Sequence, residues 1–175
     1  ASIGVLKSID GGLTWNASGL VYAESQQRQI RRLILNPSNT QVLIAVTNAG
    51  VYRSSNAGTT WSLSVSGNFY DAEFKPGDPN TVYLGGNTSF RLSTDGGVSF
   101  TTISSGIPSS GANRVSVAVT PADPSYVYVL RSSSSTSGYA GVYRSSSSGT
   151  SFSVMSTSPN ILSNPCNASG TDGIG

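Results

Sequence analysis

The sequence predicts an all-β protein made of repeated four-stranded antiparallel sheets, and three features carry that prediction. An octapeptide of pattern S-x-[D/N/S]-x-G-x-[T/S]-[W/F] occurs four times in the 175 residues. A second, proline-centred turn recurs in step with it. Short apolar runs flank both motifs, whereas helical periodicity is absent apart from a short polar candidate at 24–30.

The octapeptides occupy 8–15, 54–61, 93–100 and 145–152. Apolar, β-rich residues precede each one and an alternating run follows, so each is expected to be a hairpin turn between strands three and four of a sheet. At its third position Asp10, Asn56, Asp95 and Ser147 can accept hydrogen bonds from nearby backbone N–H groups and close an Asx-type turn. A hydroxyl does this more weakly than a carboxylate, so the turn at Ser147 is expected to be the loosest. Gly12, Gly58, Gly97 and Gly149 supply a positive φ that a Cβ would resist. Trp15, Trp61, Phe100 and Phe152 begin the next strand and are expected to plug the gap beneath the turn. With the leading Ser8, Ser54, Ser93 and Ser145, these positions are expected to be structural.

The third positions, 10, 56, 95 and 147, lie 46, 39 and 52 residues apart. About 40–50 residues per repeat is the period of a four-stranded β-propeller blade. The proline turns keep the same beat. Asn36-Pro37-Ser38-Asn39, Lys75-Pro76-Gly77-Asp78-Pro79 and Thr120-Pro121-Ala122-Asp123-Pro124 each follow a short strand and precede an apolar one at 42–46, 81–84 or 126–130.

One complete unit then reads as strand one at 32–35, strand two at 42–47, a hairpin turn at 48–50, strand three at 51–54, the octapeptide, and strand four at 60–64. The next units run from Tyr70 to about Ile103 and from Arg114 to about Met155. In the last, the turn after strand two is enlarged to 132–138, which accounts for the 52-residue spacing and is expected to be an exposed, mobile loop. The organisation expected is half a blade at 1–18, blades at 19–65, 66–105 and 106–157, and a linker at 158–175. About three and a half blades leave sheet edges open, so the remaining blades are expected from the same polypeptide. The alternative is a four-bladed ring closed by the tail.

Only 10% of the residues are charged, against about 25% in ordinary domains. Ser, Thr, Asn and Gly replace them, a composition that points to an extracellular protein, secreted or at the cell surface. The net charge of +2 is too small and scattered for nucleic acid or an anionic membrane, and no apolar run is long enough for membrane insertion. Arg31-Arg32 borders a strand and is expected at a solvated edge. Histidine is absent, no metal ligand set stands out and no cofactor is expected. Cys166 is the lone cysteine, expected to pair outside this stretch or to be a partly buried thiol. Asn16-Ala17-Ser18, Asn87-Thr88-Ser89 and Asn167-Ala168-Ser169 match the N-glycosylation pattern.

The octapeptide resembles the Asp-box, or BNR-like repeat, of sialidase, sortilin-like and xyloglucanase-type β-propellers. The stretches RRLILNPSNTQVLIAVTNAGVYRSSNAGTTW and FYDAEFKPGDPNTVYLGGNTSFRLSTDGGVSF look like repeats of large sortilin-like proteins secreted by Bacteroidota. That resemblance implies a propeller with its site at the channel mouth, secretion, and in many cases a sorting domain read by the type IX secretion system. The partners implied are a glycan, or surface and secretion proteins.

A xyloglucanase-like site would need two carboxylates, one of them an Asp just after strand two in a D-x-G-G-x-Y-R setting. The matching stretch here is Thr47-Asn48-Ala49-Gly50-Val51-Tyr52-Arg53, which has no carboxylate. A sialidase-like site would need three arginines. Arg32, Arg114 and Tyr70 lie near first-strand ends without the R-I-P motif. Asp71 and Glu73 are the close pair of acids, and at period two they share a face of the innermost strand. They are a possible channel-facing polar site, or else channel-wall residues bonded to water or backbone. Lys7, Arg53 and Arg144 each stand just before an octapeptide and are expected to form rim ion pairs. No residue is assigned as catalytic. The reading that follows is a non-catalytic binding or adhesion module. The alternatives are a glycoside hydrolase with its carboxylates in other blades, and a secreted cargo bound to type IX or surface machinery.

Overall fold

In a computed structural model of the chain the structure describes residues 2–159 and 161–162. Cys166 and the Asn167-Ala168-Ser169 triplet lie outside them, as does most of the expected linker. The described chain is all-β, with one 3-10 turn at Glu24–Gln26. It divides into two compact units, residues 1–69 and the residues from Tyr70 onward.

The first unit opens with a two-stranded sheet, β1 (Gly4–Lys7) and β2 (Asn16–Val21). A four-stranded antiparallel sheet follows in simple order: β3 (Ile30–Leu35), β4 (Leu43–Thr47), β5 (Gly50–Ser54) and β6 (Ser62–Ser66). Every observed strand end in this sheet falls within two residues of its expected place. Ile44, Ala45 and Val46 of β4 are fully buried. A strand covered on both faces reads as a continuous apolar run rather than an alternating one, as 42–46 does. Buried Thr47 ends the strand with its hydroxyl satisfied: Oγ1 donates to the Gly50 carbonyl at 2.8 Å and accepts the Ala49 and Gly50 N–H groups at 3.0 and 3.1 Å. Val5, Leu20, Tyr22 and Ala45 form the core of this unit, with Trp61 and Tyr52 packed against it.

The second unit holds two four-stranded sheets of the same order. One comprises β7 (Phe69–Lys75), β8 (Asp78–Gly86), β9 (Phe90–Ser93) and β10 (Thr101–Thr102), its first residue lying at the unit boundary. The other comprises β11 (Ala112–Val119), β12 (Val127–Ser133), β13 (Tyr139–Ser145) and β14 (Ser153–Ser156). One core joins their facing sides through Tyr83, Phe90, Ile107, Val115, Val117, Val127, Val129 and Phe152.

The proline turns are Asx turns. Asn36 Oδ1 accepts the N–H of Ser38 at 2.9 Å, Asp78 accepts from Asn80 at 3.1 Å, and Asp123 from Ser125 at 3.0 Å. The enlarged turn differs from expectation. β12 continues to Ser133, which shortens the loop to 134–138. That loop is tied down as well, because Ser134 N–H reaches the Gly111 carbonyl at 3.1 Å and Asn113 Nδ2 reaches Ser137 Oγ at 2.9 Å. Thr136 Oγ1 accepts the Gly138 N–H, Ser135 Oγ bonds Ser133 Oγ and Ser137 Oγ serves Asn113, which a count of serines does not reveal.

A third element recurs in the structure. Ser18-Gly19-Leu20, inside β2, and Ser105-Gly106-Ile107, just after β10, each bring a fourth strand against the octapeptide of the next sheet. Gly19 N–H donates to the Gly58 carbonyl at 2.8 Å, and Phe152 N–H donates to the Ser105 carbonyl at 2.9 Å. Leu20 and Ile107 are buried beside these bonds. A Cβ on Gly106 would lie 1.8 Å from the Phe152 carbonyl oxygen, and its φ is +71°. Gly106→Ala should therefore cost about 3 kcal/mol, overpacking added to left-handed strain. Gly111→Ala, at φ +77° with nothing within 4 Å, should cost only about 1 kcal/mol. Urea unfolding of the two variants checks this, and equal losses would show that contact at Gly106 is unimportant.

Candidate functional site

The four octapeptides are four copies of one hydrogen-bonded turn. In each, the leading serine Oγ accepts the N–H of the fifth-position glycine: Ser8 from Gly12 at 2.8 Å, and Ser54 from Gly58, Ser93 from Gly97 and Ser145 from Gly149 at 2.9 Å. The same hydroxyl donates to the third-position acceptor, to Asp10 at 2.7 Å, Asn56 at 3.0 Å and Asp95 at 2.7 Å. That acceptor then takes the N–H of the seventh residue: Thr14 at 2.9 Å, Thr60 at 2.8 Å and Ser99 at 3.0 Å. At Ser147 the corresponding contacts lengthen to 3.3 Å from Ser145 Oγ and 3.2 Å from Ser151 N–H. Both tryptophans return a bond to the turn, Trp15 Nε1 to the Gly12 carbonyl at 3.1 Å and Trp61 Nε1 to Gly58 at 3.0 Å. Phe152 packs edge-on to Phe90, centroids 4.9 Å apart. Trp15, in contrast, is 61% exposed.

Sequence reasoning placed the positive φ only at the fifth residue. The structure puts it at the fourth as well: Gly11 at +72°, Ala57 at +54°, Gly96 at +69° and Ser148 at +53°. Two successive left-handed residues are the signature of a type I′ turn, whose twist suits a hairpin. Ala57 and Ser148 adopt this conformation in spite of their Cβ, and for that reason the pattern hid it.

Every bond at the third-position carboxylates favours the charged form. At Asp10 the Thr14 hydroxyl and N–H and the Ser8 hydroxyl pull the carboxyl down to about 2. At Asp95 burial opposes ionisation, but the bonds from Ser99, Ser93 and Val98 outweigh it, and the carboxyl again sits at about 2.

The structure also places the channel-wall candidates. Asp71 Oδ2, on β7, accepts the N–H of Val117 on β11 at 2.9 Å, so this carboxylate joins the first strands of two sheets. Glu73 is half-buried and also engaged. Arg114 stacks over the Tyr70 ring at 5.2 Å. Of the Arg31-Arg32 pair on the edge strand β3, Arg32 is exposed, whereas Arg31 is half-buried and donates to Asn68 Oδ1 at 2.7 Å and the Phe69 carbonyl at 2.9 Å. Two of the three expected ion pairs are replaced: Lys7 Nζ donates to the Ala57 carbonyl at 3.0 Å, and Arg144 lies over Tyr126 at 5.1 Å. Acids are too few here to meet the repeated cations, and carbonyls and rings take their place. Among the described residues no group of three or more His, Cys, Asp or Glu is placed to hold a metal, and no helix is long and apolar enough to cross a membrane.

Repeated four-stranded antiparallel sheets joined in this way define the class: a stretch of β-propeller. Solved structures bear this out. An ancestral GH74 enzyme superposes with a TM-score of 0.74 at 20% identity, covering 92% of this chain and 22% of its own. The GH74 enzyme of Niastella koreensis gives 0.63 at 24% identity, over 94% of this chain and 26% of its own. The GH74 xyloglucanase of Xanthomonas campestris gives 0.61 at 19%, over 76% and 24%. At these identities the likeness establishes the fold, and the chain spans about a quarter of the length of each. No protein-family model and no curated protein matches the chain.

Two outcomes follow for the turns. Ala57→Gly relieves a left-handed Cβ and should stabilise the protein by about 1 kcal/mol, read as a higher urea midpoint with an unchanged slope. For Asp95 the folded carboxyl at about 2 lies below the unfolded value of 3.8. Its contribution is therefore complete above pH 4 and fades as pH falls towards 2. Asp95→Asn, which keeps the acceptor used at Asn56, should flatten that part of the acid-unfolding curve. An unchanged curve would show that the carboxylate charge contributes nothing.

Proposed function

We propose that these residues are a non-catalytic segment of a larger secreted or cell-surface propeller protein, which binds a glycan or protein ligand and draws its remaining blades from the same polypeptide. The observation that carries this reading is the use made of Asp71. It belongs to the one close pair of acids in the sequence, and its Oδ2 accepts the Val117 N–H of the neighbouring first strand, a structural use for that carboxylate. The stretch after strand two, 47–53, carries no carboxylate at all. The hydroxyl- and amide-rich composition supports an extracellular setting. The Asp-box character of the turns and the likeness to sortilin-like Bacteroidota repeats support export by the type IX system, as a surface protein or as cargo of that machinery.

A second reading has its own support. All three superposed structures named above are GH74 enzymes, one of them a xyloglucanase. On that reading the polypeptide is a glycoside hydrolase, with its acid and base on blades outside these 175 residues, as the need for two flanking carboxylates requires.

Incubation of the intact source polypeptide with xyloglucan and other soluble polysaccharides separates the two. Retention on the polysaccharide without new reducing ends is the expected result, and Asp71→Asn should leave retention unchanged. Release of reducing ends would favour the hydrolase. Release that Asp71→Asn abolished would overturn the structural role given to Asp71.

A further inference from the structure

Leu6, Leu33 and Leu35 are 43%, 46% and 50% exposed. With Val5, Leu43 and Trp61 they line an apolar cleft of about 230 Å³ in the first unit. Three large aliphatic side chains together at one open cleft are not the scattered single residues that a surface normally shows.

The second unit shows how the same positions look when covered. Leu35 pairs with Leu43 and Leu43 with Ser54, just as Val119 pairs with Val127 and Val127 with Ser145. Leu33 therefore corresponds to Val117, and Gly58 and Trp61 correspond to Gly149 and Phe152. Val117 and Phe152 are each only 7% exposed. The preceding sheet covers them: its second strand, β8, lies over Val117, and Phe90 of β9 packs edge-on to Phe152. A Cβ on Gly149 would lie 2.9 Å from the Tyr83 ring, and one on Gly85 would lie 2.2 Å from the Val115 carbonyl and 3.4 Å from a Val117 methyl. In the first unit β1 stands where β9 stands, with Val5 in the place of Phe90. Nothing among the described residues takes the place of β8, and β1 pairs with β2 alone.

We propose that the free edge of β1 and the cleft beside it receive a β-hairpin of the same polypeptide, lying outside these 175 residues. Its second strand pairs antiparallel with β1 and sets a bulky side chain over Gly58. Two residues further on it carries a Gly or Ala that faces Leu33, the spacing of Tyr83 and Gly85. Main-chain bonds to the edge supply pairing, and the alternate side chains supply the match. The same chain is the source because β8 enters β9 through the short turn 87–89, and consecutive strands are normally neighbours. This rests on the reading that further blades belong to the same polypeptide, and its test is independent of any ligand.

The test is thiol labelling of the intact source polypeptide in a Cys166→Ser background, read peptide by peptide by mass spectrometry. Leu33→Cys in the cleft is compared with Ile9→Cys, at a site 86% exposed. The expected result is maleimide labelling of Leu33→Cys at least about tenfold slower than that of Ile9→Cys, as burial against a docked strand requires. A benzophenone carried on Leu33→Cys should crosslink within the same molecule to a segment of bulky-x-small pattern. Equal labelling rates would overturn the proposal. So would a crosslink to a second molecule, which would assign the cleft to an interface between copies. Failure here leaves the polysaccharide result standing, and failure there leaves this one standing.

Discussion

Everything in this fold depends on how each sheet turns from its third strand into its fourth. One serine hydroxyl at the head of the turn accepts a glycine N–H and, in three of the copies, donates to the Asp or Asn two residues on. Each such bond is worth only about 1 kcal/mol net. Their value lies in satisfying donors that two left-handed residues turn inward, where an unpaired N–H would be costly. Once the turn is fixed, Trp61 and Phe152 at its end lie against the core.

The sheets are joined by backbone at close range. Gly19 and Gly106 bring a fourth strand within hydrogen-bonding distance of the following octapeptide, and any Cβ would strike a carbonyl there. Asp71 makes a similar link between first strands. Edge strands carry unpaired backbone groups that invite misassociation. In this chain a side-chain carboxylate and two glycines engage some of those groups, which is why a polar residue on an inner strand need not mean catalysis. Cations repeated before the octapeptides obey the same economy, with Lys7 and Arg144 meeting a carbonyl and a ring.

Much of this was legible in the residues. The period of the octapeptide, the apolar runs at 42–46 and 81–84, and the recurring proline turns at Pro37, Pro76 and Pro121 prescribe strand order and turn placement. Each is a local condition, met by residues a few positions apart. The turn at Ser147 was also foreseeable as the loosest, since a hydroxyl reaches less far and binds less firmly than a carboxylate. The 134–138 loop was not, because serines give no sign of which backbone groups they will meet.

What the sequence alone determined is the repeating β architecture, since turn chemistry and strand periodicity act over short distances and are written in residue type. Tertiary structure decided the rest: the left-handed backbone at Ala57, the contact that forbids a side chain at Gly106, and the N–H that claims Asp71. Each of these depends on a partner set by packing, or on a backbone angle that residue type does not betray.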